Sequence, residues 1–204
     1  MKRFVIWLIV MNLTTAAVGQ KVDASFVLGA ASASDIQQTF TPTIGPSVLE
    51  KTSFDRHIFL EGAVSLRLLN AHAVSLRLEA PVAEIPSQPI AILPGESPLA
   101  LSALFITPGL RVNVLPGAAV SPWGSVGGGW AHYSSDNRTT SKGALQYGGG
   151  LDFKTGLPLL AFRAEVRDFV TADPVDLFIN DETTSMKGLH HHNVLVGGGI
   201  ILRF

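Results

Sequence analysis

The strongest constraint on the fold is a two-residue alternation of apolar and polar side chains, repeated in blocks of about ten residues. In the block 57–68, Ile58, Leu60 and Val64 share one face, and Glu61 and Arg67 fall on the other. Successive side chains of a β-strand point to opposite sides of the sheet. Such a block therefore predicts a strand with one apolar and one polar face.

Eight blocks of this kind follow one another, separated by clusters of Gly, Pro, Asn and Asp. The predicted strands are 22–29, 57–68, 74–82, 103–115, 122–133, 143–154, 160–170 and 192–204. Long connections at 30–56, 83–102, 134–142 and 171–191 alternate with short ones at 69–72, 115–121 and 155–159. Tight turns at one end and long loops at the other are typical of transmembrane barrels. The sequence predicts an all-β, eight-stranded, antiparallel up-and-down transmembrane β-barrel.

Alternation alone also fits a soluble barrel or sandwich whose apolar face points inward. Two observations favour lipid instead. Most blocks have the length of about 9–11 residues that a tilted strand needs to cross a bilayer. Aromatic residues also fall near the predicted strand ends, with Trp123, Phe153 and Phe204 at one end and Tyr133 at the other. We expect them to form interfacial girdles.

The composition of the polar face points the same way. It carries arginines together with acidic and small residues, whereas the lysines fall mostly in loops or at strand ends. Planar guanidinium groups pair with carboxylates in bidentate fashion, which suits a narrow interior. The predicted interior charge network is Glu61, Arg67, Arg77, Glu79, Arg111, Asp152, Arg163, Glu165, Arg167 and Arg203.

Eight strands leave an interior just wide enough to be filled by side chains. The network is therefore expected to close the barrel to solutes, and a small porin-like channel is the alternative. Pro108 fits this fold poorly, because it cannot donate to a ladder and a closed barrel has no free edge. We expect a bulge or kink in the fourth strand.

The first nineteen residues have the pattern of a secretory signal peptide. Lys2 and Arg3 precede the apolar stretch 4–13, and Ala17 and Gly19 mark a cleavage site before Gln20. The stretch is too short to serve as a spanning helix. We expect residues 1–19 to be removed and residues 20–204 to form one domain.

The net charge of −1 gives no electrostatic footprint for nucleic acid. The absence of cysteine excludes a disulfide framework and any thiolate site.

The final segment V-L-V-G-G-G-I-I-L-R-F at 194–204 resembles the carboxy-terminal signal strand of outer-membrane proteins. Together with F-R-A-E-V-R-D-F at 162–169 and P-W-G-S-V-G-G-G-W-A-H-Y at 122–133, it resembles the small OmpA/OmpX-like β-barrel family. The resemblance implies a monomer in the bacterial outer membrane, with membrane lipids and lipopolysaccharide around it and no cofactor or defined chemistry. It also implies recognition by the barrel-assembly machinery through Ile200, Leu202 and Phe204.

Two short motifs raise the question of chemistry. The segment His132-Tyr133-Ser134 is similar to the His-x-Ser of lipid A deacylases, but serine catalysis needs a carboxylate to orient the histidine, and the next strand offers Gln146. A lipid A-modifying enzyme therefore remains an alternative.

Among the three histidines at 190–192, strand alternation lets only two converge, and no carboxylate can be placed beside them. We expect no metal site and no enzyme. The predicted role is structural, adhesive or in surface interaction through the loops.

Overall fold

The computed structural model describes residues 22–33, 36–40, 48–52, 57–90, 99–135, 138–172 and 190–204. The predicted signal peptide lies outside these ranges. Eleven strands occur within them: β1 Val22–Ala33, β2 Ile36–Phe40, β3 Val48–Thr52, β4 His57–Ala71, β5 Val74–Ile90, β6 Leu99–Ile106, β7 Gly109–Val114, β8 Val120–Ser135, β9 Arg138–Lys154, β10 Leu160–Thr171 and β11 His191–Arg203. The short strands β2 and β3 pair only with each other.

The other strands close into one antiparallel barrel, in which β6 and β7 share a single position between β5 and β8. The barrel thus has eight strand positions among the described residues, and the predicted architecture is confirmed. Its seam pairs β1 with β11, from Asp23 opposite Arg203 to Ala33 opposite Asn193. The amide of Phe204 extends this seam by donating to the Val22 carbonyl at 2.9 Å.

The barrel has two distinct ends. The turn end carries the start of β1, the end of β11 and the connections β4–β5, β7–β8 and β9–β10. The loop end carries the hairpin of β2 and β3 and the connections β5–β6, β8–β9 and β10–β11. Around the wall the pairing registers accumulate a shear of about ten residues, so the strands are strongly tilted to the barrel axis.

Pro108 is accommodated by an interruption of its strand. β6 ends at Ile106 and β7 begins at Gly109, but the register against β5 and against β8 is the same on both sides of the gap. No extra residue is inserted, so the expected irregularity is a break in the ladder rather than a bulge. The Thr107 amide donates to the Pro81 carbonyl at 3.4 Å, and the Gly128 amide to the Pro108 carbonyl at 3.1 Å.

One of the predicted long loops is wrong. Residues 134–142 were expected to form a loop, but β8 and β9 pair out to Ser135 opposite Arg138. The segment is polar on both faces because the hairpin extends beyond the apolar band of the wall. A strand that is polar on both faces has the same sequence pattern as a loop. The predicted loop 83–102 is also shortened, since β5 runs to Ile90 and β6 begins at Leu99.

The outer wall is apolar, as the alternation predicted. Leu28, Leu60, Val126, Phe162 and Val196 each leave more than half of their surface exposed, and their sequence neighbours are turned inward. A continuous apolar outer surface is stable only against hydrocarbon. None of the described residues forms a helix long and apolar enough to span a membrane.

Candidate functional site in the barrel interior

A buried layer of ion pairs fills the middle of the barrel and extends towards the turn end. It consists of five carboxylates and four arginines, each at most 5% exposed in its side chain, drawn from six strands. We call it the charge layer, and its members are Asp23, Glu61, Arg77, Glu79, Arg111, Asp152, Arg163, Glu165 and Arg167.

Glu79 lies at the centre of the charge layer and accepts from three arginines. Arg111 Nη1 donates to its Oε1 at 2.7 Å, and Arg163 Nη1 reaches the same oxygen at 3.4 Å. Both terminal nitrogens of Arg167 donate to Oε2 at 3.2 Å. Charge-assisted bonds of this kind compensate the loss of hydration that burial imposes on a carboxylate.

Asp152 and Asp23 hold the edges of the charge layer. Arg163 grips Asp152 in bidentate fashion, with Nε to Oδ1 at 2.9 Å and Nη2 to Oδ2 at 3.2 Å. Arg77 contacts Asp23 at 2.6 Å and donates to Ser65 at 3.3 Å. Bidentate pairs fix the orientation of both side chains, so the wall strands are cross-linked through the interior.

Arg167 is shared among three acidic residues. Besides Glu79 it contacts Glu165 and Glu61, each with a carboxylate oxygen 3.2 Å from Nε. The single Nε–H forms its hydrogen bond with Glu165, and Glu61 has no hydrogen-bond partner among the described residues. Glu61 therefore contacts Arg167 without forming a hydrogen bond to it.

An indole ring lies beneath the arginines of the charge layer. The guanidinium carbons of Arg111, Arg163 and Arg167 lie 5.3, 4.8 and 5.0 Å from the ring of Trp123. Trp123 is 5% exposed and faces inward, so its predicted place in an interfacial girdle is wrong. Its partner across the strand pair is Gly150, where an added Cβ would lie 2.9 Å from the Trp123 ring. The ring occupies space that the glycine leaves open.

Two predicted members of the network lie outside the charge layer. Arg67 and Arg203 face a cavity at the turn end and make none of its ion pairs. Their sequence pattern could not separate them from Arg77 or Arg163, since all four alternate with apolar residues. Arg67 and Arg203 lie outside the charge layer because they are near the ends of β4 and β11, at the turn end of the barrel.

Towards the loop end, the interior is apolar instead of charged. We call this second layer the apolar plug, and its members are Val27, Ala31, Phe59, Ala83, Ile85, Leu101, Ala103, Phe105, Ala131, Tyr133, Ala144, Phe169 and Leu195. The alternation in the sequence predicted a polar interior throughout, and this prediction is wrong for the apolar plug.

Aromatic rings form the centre of the apolar plug. Phe105 packs against Phe169 at a centroid distance of 4.7 Å and against the edge of Tyr133 at 6.0 Å. The Tyr133 hydroxyl and Thr171 Oγ1 are 2.8 Å apart, which satisfies the one polar atom of the ring. Tyr133 is 1% exposed, so its predicted place in the outer girdle is also wrong. Phe153 and Phe204 do point outward.

The histidine motif on β8 does not assemble the expected triad. His132 and Ser134 both lie on the outer side of the wall, but His132 Nδ1 is 2.9 Å from Ser141 Oγ. Gln146 points inward, where its amide donates to Ser125 at 3.0 Å. The residue at the expected acid position is therefore on the opposite face of the wall from His132.

A second polar group lies on the outer wall near the loop end. Asp168 Oδ2 accepts from the Tyr147 hydroxyl at 2.6 Å and lies 2.7 Å from His192 Nδ1. The prediction that no carboxylate lies beside the three histidines is therefore wrong. Of the three histidines at 190–192, His191 points inward and is buried, whereas His192 points outward. Within the described ranges no three His, Asp or Glu side chains are placed to hold a metal ion.

Solved structures of outer-membrane proteins are similar to this barrel. Neisserial surface protein A shares 13% sequence identity, with 92% of this chain and 98% of that chain covered and a TM-score of 0.57. The outer-membrane protein OprG from Pseudomonas aeruginosa shares 11% identity, with 91% and 96% covered and a TM-score of 0.56. No protein-family model matches the sequence, and among curated proteins no sequence matches.

These similarities establish the fold, that of the small eight-stranded outer-membrane barrels. The resemblance noted in the sequence is confirmed at that level. Fold and apolar outer wall together are those of a protein of the bacterial outer membrane.

Proposed function

We propose that this chain is a closed outer-membrane barrel that passes no solutes and acts through the surface at its loop end. The observation that carries the proposal is the filling of the interior by two stacked layers. A solute entering from the loop end would have to displace the ring cluster of Phe105, Phe169 and Tyr133. It would then meet the ion pairs around Glu79, whose side chain is 2% exposed.

Conductance in a planar lipid bilayer tests the closed state. We expect the refolded chain to give no steady single-channel current. The matched variant replaces Phe105 and Phe169 by glycine, which removes two central rings of the apolar plug and leaves the charge layer in place. This variant is expected to stay non-conducting, because the second layer closes the barrel alone. A steady current through the unaltered barrel would establish the channel alternative and refute the proposal.

The loop end is the part of the chain free to vary its chemistry. The hairpin of β2 and β3 is separate from the barrel sheet, and β8 and β9 continue beyond the apolar band as far as Ser135 and Arg138. Loops carried on a rigid scaffold are the usual location of binding surfaces. We infer that lipopolysaccharide and other surface components are contacted here, as expected for a monomer surrounded by outer-membrane lipid.

Exchange of the loop-end segments tests this location. A variant with residues 36–52 and 173–189 replaced by short Gly-Ser linkers should fold, resist detergent until boiled, and lose retention of vesicles containing lipopolysaccharide. The control replaces only the turn 155–159, at the opposite end. Equal retention by the loop-exchanged variant and the unaltered chain would contradict a surface role at the loop end.

The last strand also supports a role in assembly. Ile200, Leu202 and Phe204 all lie on the outer side of β11, and Phe204 is 67% exposed. We propose that the assembly machinery binds this outward row before the seam closes. Phe204→Ala should then slow insertion in the presence of that machinery and leave spontaneous refolding into detergent unchanged.

A further inference from the structure

A cavity opens at the turn end of the barrel, below the charge layer. Its volume is about 550 Å³, within the usual range of ligand pockets. Three cationic side chains from three strands line it: Arg67 from β4, Lys154 from β9 and Arg203 from β11. Leu159 and Phe204, both mostly exposed, lie at its rim.

The cationic side chains that line this cavity outnumber the acidic ones among the described residues. Asp23 also lines the cavity, but Arg77 already pairs with it at 2.6 Å. The Nε atoms of Arg67 and Arg203 are shielded from solvent and have no acceptor among the described residues. The Lys154 ammonium donates to the carbonyl of Gly117, which is neutral. Neither arginine forms an ion pair with a described carboxylate, so an anion entering the cavity would meet positive charge that no carboxylate neutralises.

We propose that this cavity binds an oxyanion, a phosphate or carboxylate group. Arg67 and Arg203 contribute their guanidinium groups, and Lys154 adds a third positive charge from the facing strand. Arginine forks match the geometry of phosphate and carboxylate oxygens. Oxyanion binding at this site does not require the barrel to be closed to solutes, so it is independent of the proposed function.

The same oxyanion chemistry has two sources at this end of the barrel. A phospholipid of the adjacent leaflet can present its headgroup phosphate at the rim, and a soluble phosphate or carboxylate can enter from the aqueous side. Both would bind to the same two arginine donors. The experiment therefore needs one arm for each source.

The test follows the arginine Nε–H signals of the full barrel by NMR, in maltoside micelles that contain no phosphate. In one arm inorganic phosphate is added, with chloride at equal ionic strength as the reference. In the other arm phosphatidylglycerol is added to the micelles without free phosphate. We expect the signals of Arg67 and Arg203 to shift in at least one arm, and those of Arg111 and Arg163 to stay in place.

Variants sharpen the assignment. Arg67→Gln and Arg203→Gln should each weaken binding roughly tenfold, as expected for one lost hydrogen bond to a charged group. Arg138→Gln removes the same charge at the loop end and should leave the affinity unchanged. A shift only with phosphatidylglycerol identifies a lipid headgroup, and a shift only with phosphate identifies a soluble ligand. If neither addition moves the two signals in the unaltered chain, the site does not exist.

Discussion

The same eight-stranded wall encloses the apolar plug and the charge layer, and the two are filled in opposite ways. The plug is held by ring packing such as that of Phe105 on Phe169. The charge layer is held by ion pairs that share partners, such as the three arginines on Glu79. A plug side chain loses contacts in proportion to its size when shortened, whereas a charge-layer side chain leaves unpaired charges behind. Substitutions in the two layers should therefore lower the free energy of unfolding for different physical reasons.

The largest effect is expected from Arg167→Met in the charge layer. The change leaves Glu61, Glu79 and Glu165 without their shared cation and should lower the free energy of unfolding by about 4–5 kcal/mol. Urea unfolding in lipid vesicles measures it. Arg138→Met, at an exposed position on the loop end, should cost less than about 1 kcal/mol. Equal midpoints for the two variants would show that the charge layer contributes nothing to stability.

Phe105→Ala tests the apolar plug. It removes the ring between Phe169 and Tyr133 and should cost about 3–4 kcal/mol, the sum of lost burial and a residual cavity. Phe162→Ala is the matched control, since this ring points towards lipid and its removal leaves no interior cavity. The same urea titration compares them. A larger loss at Phe162 would mean that the plug is loosely packed.

Double-mutant cycles should distinguish the layers further. Glu79 and Arg111 share one network, so their methionine variants should deviate from additivity by about 1–3 kcal/mol. Phe105→Ala and Arg111→Met lie in different layers and should add to within about 0.5 kcal/mol. Strong coupling between Phe105 and Arg111 would show that the two layers act as one.

The smallest effect is expected at the boundary between the layers. Thr107 lies between Phe105 and Arg111 along the chain, and its buried hydroxyl has no partner among the described residues. Thr107→Val removes that hydroxyl at nearly constant volume and should stabilise the barrel by about 1 kcal/mol.

Thr171→Val serves as the control of opposite sign. Its hydroxyl lies 2.8 Å from the Tyr133 hydroxyl, so its removal should destabilise the barrel. Destabilisation by Thr107→Val would mean that its hydroxyl has a bound partner.

The wall could be predicted from the sequence because facing depends only on alternation. Leu60 and Val196 point outward and Arg77 and Arg163 inward, as their blocks indicate. The apolar plug could not be predicted in the same way. Phe59 lies between Ile58 and Leu60, and in an unbroken apolar run the inward residue carries no signal of its own.

The place of Trp123 depends on register rather than on local sequence. An aromatic residue near a strand end indicates a girdle, but Gly150 across the strand pair provides the space that turns this position into an interior site. The division of the arginines between charge layer and cavity has the same origin. Pairing around the whole barrel sets how far Arg67 and Arg203 lie from Glu79, and no single segment contains that information.

The seam between β1 and β11 determines when the wall of the barrel can close. It joins the first and last strands of the barrel, so an early part of the chain cannot complete the wall while later residues are still being made. Until that seam forms, the sheet has two unpaired edges and an exposed apolar surface, features that favour aggregation. The barrel therefore closes only when the first and last strands of the wall meet.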